Sequence, residues 1–179
     1  WLGGGRRGRG EGLFSGDRAV RVLRDAVVPV IAVPATCGEL PRTAVVAVDF
    51  GPASLHAARA AADIVDEGVI HLVHVRPEID IPATDPNAWA DVYESGARTL
   101  LTRLAAELQA EHPGLRFETA LGRGHAAEAV LDYADGLNAE LIAAGQHAPG
   151  AVERLLFGSV ASGIVRAAHC SVLVAPVVK

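Results

Sequence analysis

In the stretch GQHAPGAVERLLFGSV, Gly145 to Val160, glycines stand near both ends, a serine follows the last of them, and no lysine is present. A glycine turn after an apolar run leaves backbone N–H groups exposed. A Gly158–Ser159 pair that opens a helix adds amides with no partner inside that helix. Both features attract anions, and the helix dipole reinforces them. Ser159 can cap the helix, donate its hydroxyl to a phosphate, or do each at different times. A plain strand–loop–helix connection with a serine cap accounts for the same residues, and residue types alone do not separate the two.

Other chemistries are narrowed by what the chain lacks. Its one lysine is Lys179. A P-loop, a Schiff base and a kinase-type phosphate lysine are therefore excluded. Gly122-Arg123-Gly124-His125-Ala126-Ala127 resembles G-x-G-x-x-A, but it lies in the third strand–helix turn and no acidic residue ends the next strand. It reads better as a turn near a crevice, with Arg123 within reach of a phosphate. Among the seven histidines no H-x3-H or Cys/His pairing occurs, and His71 and His74, three apart on an apolar run, face opposite sides. Ser159 and Ser162 are not in a G-x-S-x-G setting. Cys37 and Cys170 are far apart and outside any CxxC pattern, which suits idle thiols in a reducing compartment.

The elements that must position these residues follow from periodicity. TAVVAVDF is a buried strand ending at Asp49, and Leu55, Ala58, Ala62 and Val65 recur at helical spacing after Pro52. VIHLVHV, Val69 to Val75, is a second strand. Asp85–Pro86 then reads as the start of a long helix with Tyr93, Ala97, Leu100, Leu101, Leu104 and Leu108 on one face, ending near Pro113–Gly114. LRFETAL, AELIAAG and SVLVAP are further strands. Ala127, Val130, Leu131 and Ala134 mark the helix between the first two, and Val160, Ile164, Ala167 and Ala168 the helix before the last. Residues 42–176 thus read βαβαβαβαβ. This is an α/β domain with a doubly wound, five-stranded parallel sheet in the order 3-2-1-4-5 and helices on both faces. Ligands of such sheets bind outside the carboxyl ends of the strands, where Asp49, Val75 and the Gly145 loop all lie.

Half the residues are hydrophobic but only 4% are aromatic, so the core is aliphatic. A net charge of −5 argues against nucleic acid as the main partner, although GGGRRGRGEG could serve as a flexible RNA-binding tail. No apolar run is long enough to span a membrane, and WLGGGRRGRG is not followed by the apolar stretch of a signal peptide. The absence of methionine, even at position 1, suggests a fragment or a processed chain.

The first 41 residues repeat something. Shifted by 142 positions, RVLRDAVVPVIAVP (Arg21–Pro34) overlies GIVRAAHCSVLVAP (Gly163–Pro176). Arg24 falls on Arg166, Ala26 on Ala168, Val30 on Val172 and Pro34 on Pro176, while Gly16 falls on Gly158. Residues 1–34 therefore read as the end of a first copy whose preceding body is missing, 35–41 as a linker, and 42–179 as the complete domain. The apolar strand PVIAVP is unsafe as an exposed edge and is expected to pair with the last strand, SVLVAP, within the chain or across a dimer.

The spacing Gly145, two residues, Ala148, nine residues, Gly158, Ser159 resembles the nucleotide loop of the universal stress protein family. VVAVD, LVHVRP and the closing VLVAP fit as well, so the resemblance covers residues 42–176. It implies that Asp49 and Val75 lie at the ribose and base of ATP. It places the triphosphate on Gly145, Ala148, Gly158, Ser159 and Val160. A carboxylate at a strand end can accept from a ribose hydroxyl, or equally satisfy the N–H groups of its own turn. Magnesium would arrive with the triphosphate rather than in a protein cage.

One departure matters. The second glycine of the family's motif is Ala148 here, followed by Pro149, which removes an N–H from the cradle. The resemblance implies a cytoplasmic ATP- or adenine-nucleotide-binding switch, at most a very slow ATPase with no nameable catalytic residue, in which last strands pair in dimers. The alternative is a module of the same fold with the phosphate site closed, working by dimerisation or partner binding.

Overall fold

The computed structural model describes residues 22, 23, 25–35, 38–76, 86–146 and 159–177, the side chains of 86–90 excepted. Its strands are β1 (Val30–Ala32), β2 (Thr43–Ala47), β3 (Val69–Arg76), β4 (Arg116–Arg123), β5 (Leu141–Gln146) and β6 (Ser171–Pro176). Its helices are α1 (Pro52–Ala62), α2 (Pro86–Glu111), α3 (Ala126–Leu137) and α4 (Ser159–Ala167).

The strands form one sheet in the order β1-β6-β5-β2-β3-β4. The five parallel strands keep the order expected from the crossover pattern. The sheet is nevertheless six-stranded and mixed, because β1 joins the far edge of β6 antiparallel. The expected pairing of PVIAVP with SVLVAP therefore occurs within the chain.

Two aliphatic layers cover the sheet. On one face Ala44, Val46, Ile70, Leu72, Leu141, Ala143 and Leu173 meet α1 and α2. On the other Val45, Val73, Val75, Ile142, Ala144, Val172 and Val174 meet α3, α4 and Leu23. Strands with both faces buried carry unbroken apolar runs, as β2, β5 and β6 do.

α1 starts at Pro52 in the first helical position and buries Ala53, Ala57, Ala58, Ala61 and Ala62, side chains small enough to bring its backbone onto the sheet. α2 begins at Pro86, as the Asp85–Pro86 pair suggests, with Asp85 itself outside the described residues. Its buried stripe is Ala97, Leu101, Leu104 and Leu108. Leu100, placed on that face by spacing, lies on its flank, exposed. α3 ends at Asn138, which takes the left-handed conformation (φ 52°). At the amino ends of the strands the Glu140 carboxylate accepts from the N–H groups of Arg42 (2.6 Å) and Thr43 (3.1 Å), fixing β2 against β5.

Candidate functional site at the carboxyl ends of the strands

Every helix that follows a parallel strand begins at the carboxyl end of the sheet, so amide-rich helix starts and strand ends share one rim. At that rim Ala47 of β2 lies opposite Val73 of β3 and Ala144 of β5. Asp49 follows two residues past the end of β2, while Val75 and Gln146 lie two residues past those partners near the ends of β3 and β5. Gly145 is one step below. The chain leaves β2 toward β3 on one side and returns as β5 on the other, so the gap between β2 and β5 is the topological switch point. Asp49 and Gly145 flank it.

Asp49 is exposed and sits in a laced turn. Its Oδ1 accepts from the Gly51 N–H at 2.8 Å, its own N–H points to Ser54 Oγ at 3.3 Å, and Ser54 Oγ donates to the Gly51 carbonyl at 3.0 Å. The turn aspartate read from the sequence is therefore present.

The next residue, Phe50, has φ +64°, a conformation that costs a bulky side chain about 1–2 kcal/mol. Its ring lies 4.7 Å from that of His74. His74 is buried and held at both nitrogens. Nδ1 donates to the Val48 carbonyl at 2.7 Å, and in the neutral ring Nε2 accepts from the Tyr93 hydroxyl at 2.8 Å. Val48, Phe50, His74 and Tyr93 thus brace the strand end that carries Asp49. Sequence reasoning missed this brace. A histidine inside a buried strand was its only trace.

Val75 points to the opposite face from His74 and is buried at the carboxyl end of β3, across from Gly122. A Cβ on Gly122 would come within 3.2 Å of Val75 Cγ2. Gly124, with φ +96°, makes the turn into α3. The two glycines of the G-x-G-x-x-A string therefore have packing and turning duties. Arg123 donates to Glu94 Oε1 through Nε at 3.0 Å and Nη2 at 2.6 Å. Arg76 Nε lies 3.9 Å from the same oxygen, so both arginines meet one carboxylate.

Gly145 is required for a reason the sequence did not reveal. A Cβ there would lie 2.5 Å from Ala53 C and Ser54 N, so glycine lets the start of α1 press on β5. Ser159 opens α4 and is exposed, and Val160 behind it is half-buried against the second core. Ala148 and Gly158 lie outside the described residues.

Away from the rim, His71 Nδ1 is 3.2 Å from the Tyr133 hydroxyl and 3.6 Å from Glu118 Oε2. Burial lowers the histidine's affinity for a proton, opposed by Glu118 and assisted by Arg116. Burial, then Glu118, raises Tyr133. Cys170 is a half-buried free thiol, pushed up to about 11 by burial and by Asp135. Among the described residues no three His, Cys, Asp or Glu side chains are grouped to hold a metal, and no helix is long and apolar enough to cross a membrane.

Residues 41–176 match the family model described as the universal stress protein family. The chain belongs to that family. A universal stress protein of Methanocaldococcus jannaschii is 30% identical over 138 residues, covering 73% of this chain and 79% of that one. A universal stress protein structure from Archaeoglobus fulgidus shares the fold at TM-score 0.64 and 24% identity, over 94% of this chain and 59% of that longer one. A likeness over so much of the chain includes residues ahead of Pro41. A universal stress protein solved in complex with cAMP shares the fold at TM-score 0.56 and 20% identity, over 78% of this chain and all of that one.

Proposed function

We propose that this universal stress domain binds ATP or a related adenine nucleotide at the rim between β2 and β5, as a switch in a stress response. The observation that carries the reading is the switch point itself, with Asp49 in the turn just past β2 and Val75 and Gly145 near the carboxyl ends of the two strands that flank β2. A structural neighbour in complex with cAMP supports the adenine class.

The residues fit such a ligand. Asp49 would accept from a ribose hydroxyl, with its turn already fixed by Gly51 and Ser54. Val75 would lie against the base. The segment from Gly145 through Ala148 to Gly158, Ser159 and Val160 would hold the phosphates, with magnesium carried by the nucleotide. A bound triphosphate supplies anionic charge for the start of α4. No residue at the rim is assigned as a general base, so occupancy rather than turnover is the proposed signal, in a cytoplasmic protein.

Titration calorimetry with Mg-ATP and with cAMP, each up to about 1 mM, on the wild type and on Gly158→Val tests this. Saturable heat lost in the variant is the expected result. Absence of heat with both ligands would show that Ala148–Pro149 closes the cradle, and the reading fails.

The second reading, a module acting by association, would have to use a surface other than the edge of β6, which is already paired on both sides, by β5 and by β1. We assign residues 1–34 as the end of a preceding domain, 35–41 as the linker and 42–179 as the domain proper.

A further inference from the structure

Gly122 and Gly124 have packing and turning duties, but the arginine between them has no part in the nucleotide reading. Arg123 is the register partner of Arg76, at the carboxyl ends of β4 and β3. Partners on neighbouring parallel strands project from the same face, so two guanidinium groups stand side by side. Like charges so placed repel. That face is the one covered by α2, since His74, two residues before Arg76, meets Tyr93 of α2.

One carboxylate answers both arginines. Glu94 follows Tyr93 on α2, and three guanidinium nitrogens converge on its single atom Oε1. Arg123 Nε lies at 3.0 Å, Arg123 Nη2 at 2.6 Å and Arg76 Nε at 3.9 Å. The last distance is too long for a hydrogen bond. Arg76 Nε is buried and, among the described residues, has no hydrogen-bond partner. Two fixed positive charges thus share one negative charge, and a buried cationic N–H lacks an acceptor. Buried donors are rarely left so. The cluster is open on one side, with the Arg123 side chain 64% exposed and that of Arg76 25%. α3 begins at Ala126, just after Arg123, and its N-cap His125 makes no side-chain cap bond. The positive end of that helix adds to the potential at the same end of the sheet.

The acceptor that fits carries several oxygens and more than one negative charge. A phosphate group has about −1.5 to −2 charge at neutral pH, close to what the two arginines offer. It can turn separate oxygens to the two forks, which one carboxylate oxygen cannot. We infer that Arg76 and Arg123 form a binding site for a phosphate group, free or at the end of a small phosphorylated molecule, with Glu94 as the built-in competitor that the ligand displaces. The site is separate from the proposed nucleotide cradle. That cradle begins at Gly145 on β5, and both β2 and β3 lie between β5 and β4. The inference does not rest on nucleotide binding.

Inorganic phosphate titrated into the full chain at fixed ionic strength, followed by backbone amide NMR, tests this. Saturable shifts at Arg76, Glu94 and Arg123 to His125 are expected, with an affinity of roughly 1–10 mM. Glu94→Gln removes the competitor and should tighten binding about tenfold. Arg123→Gln, at an exposed side chain, should weaken it about tenfold. Gly158→Val should leave these shifts unchanged. Urea unfolding of each variant is measured alongside, because a purely structural cluster would lose stability in Glu94→Gln without gaining affinity. That result overturns the proposal. So does the absence of saturable shifts in both the wild type and Glu94→Gln, or phosphate binding that Arg123→Gln leaves intact or Gly158→Val abolishes. Glycerol phosphate, titrated in the same way, separates the sources. Tighter binding than inorganic phosphate assigns the site to a phosphorylated molecule, and equal or weaker binding assigns it to free phosphate; both support the site.

Discussion

Gly145 and Ala53 are in backbone contact: a Cβ on the first would stand 2.5 Å from the carbonyl carbon of the second. The last glycine of β5 and the first turn of α1 therefore form one packed joint beneath the rim. A residue that the nucleotide loop resemblance places among phosphate ligands is in the fold a spacer between strand and helix.

Gly145→Ala should accordingly destabilise the protein by about 1–3 kcal/mol, because the backbone of α1 must move to admit a methyl group. Urea unfolding measures this. A variant with wild-type stability would show that the joint is looser than described. Loss of nucleotide binding in this variant would report the joint as well as the cradle, which is why Gly158→Val is the cleaner probe.

Tyr93→Phe removes the hydroxyl that meets His74 Nε2 at 2.8 Å. The buried ring nitrogen then lacks its partner, at a cost of about 1–2 kcal/mol. The second change His74→Phe, which removes the other partner too, should add less than it costs alone. Strict additivity in that double-mutant cycle would mean the two groups do not interact.

His71 sets a pH dependence. Burial holds its folded affinity for protons below that of the unfolded chain, whose value is near 6.5. As the pH falls through about 6.5 the unfolded chain takes up the proton first, so stability is full above that pH and declines as the pH drops toward the folded value. Glu118, Arg116 and Tyr133 are the charged and titratable groups facing it. Urea midpoints at pH 7.5, 6.5 and 5.5 should fall more steeply for the wild type than for His71→Gln. Equal slopes would assign the acid sensitivity to other groups.

Much of the fold was legible because β2, β5 and β6 are unbroken aliphatic runs and the segments between them carry helical spacing. Asp49 and Val75 could be placed at strand ends for the same reason. The Phe50–His74–Tyr93 brace was not legible, since it joins residues from three elements and turns on one backbone angle that no local pattern announces. The spacer role of Gly145 escaped for a related cause. A glycine after an apolar run looks the same whether it frees amides for a ligand or clears space for a helix 90 residues away in the chain. The β1–β6 pairing was foreseen because an apolar strand is unsafe as an exposed edge, but only the structure placed it within the chain.

That pairing has a consequence for how the molecule is made. β1 leaves the ribosome before the other described strands, yet its one partner among them is β6, about 140 residues later in the chain. At roughly 5–20 residues per second the early strand waits several seconds or more for the late one. Contacts so distant in sequence form slowly, and the Val30–Ala32 edge stays a template for unwanted pairing until Ser171–Pro176 arrives. Chains cut short before Ser171 would carry that edge permanently.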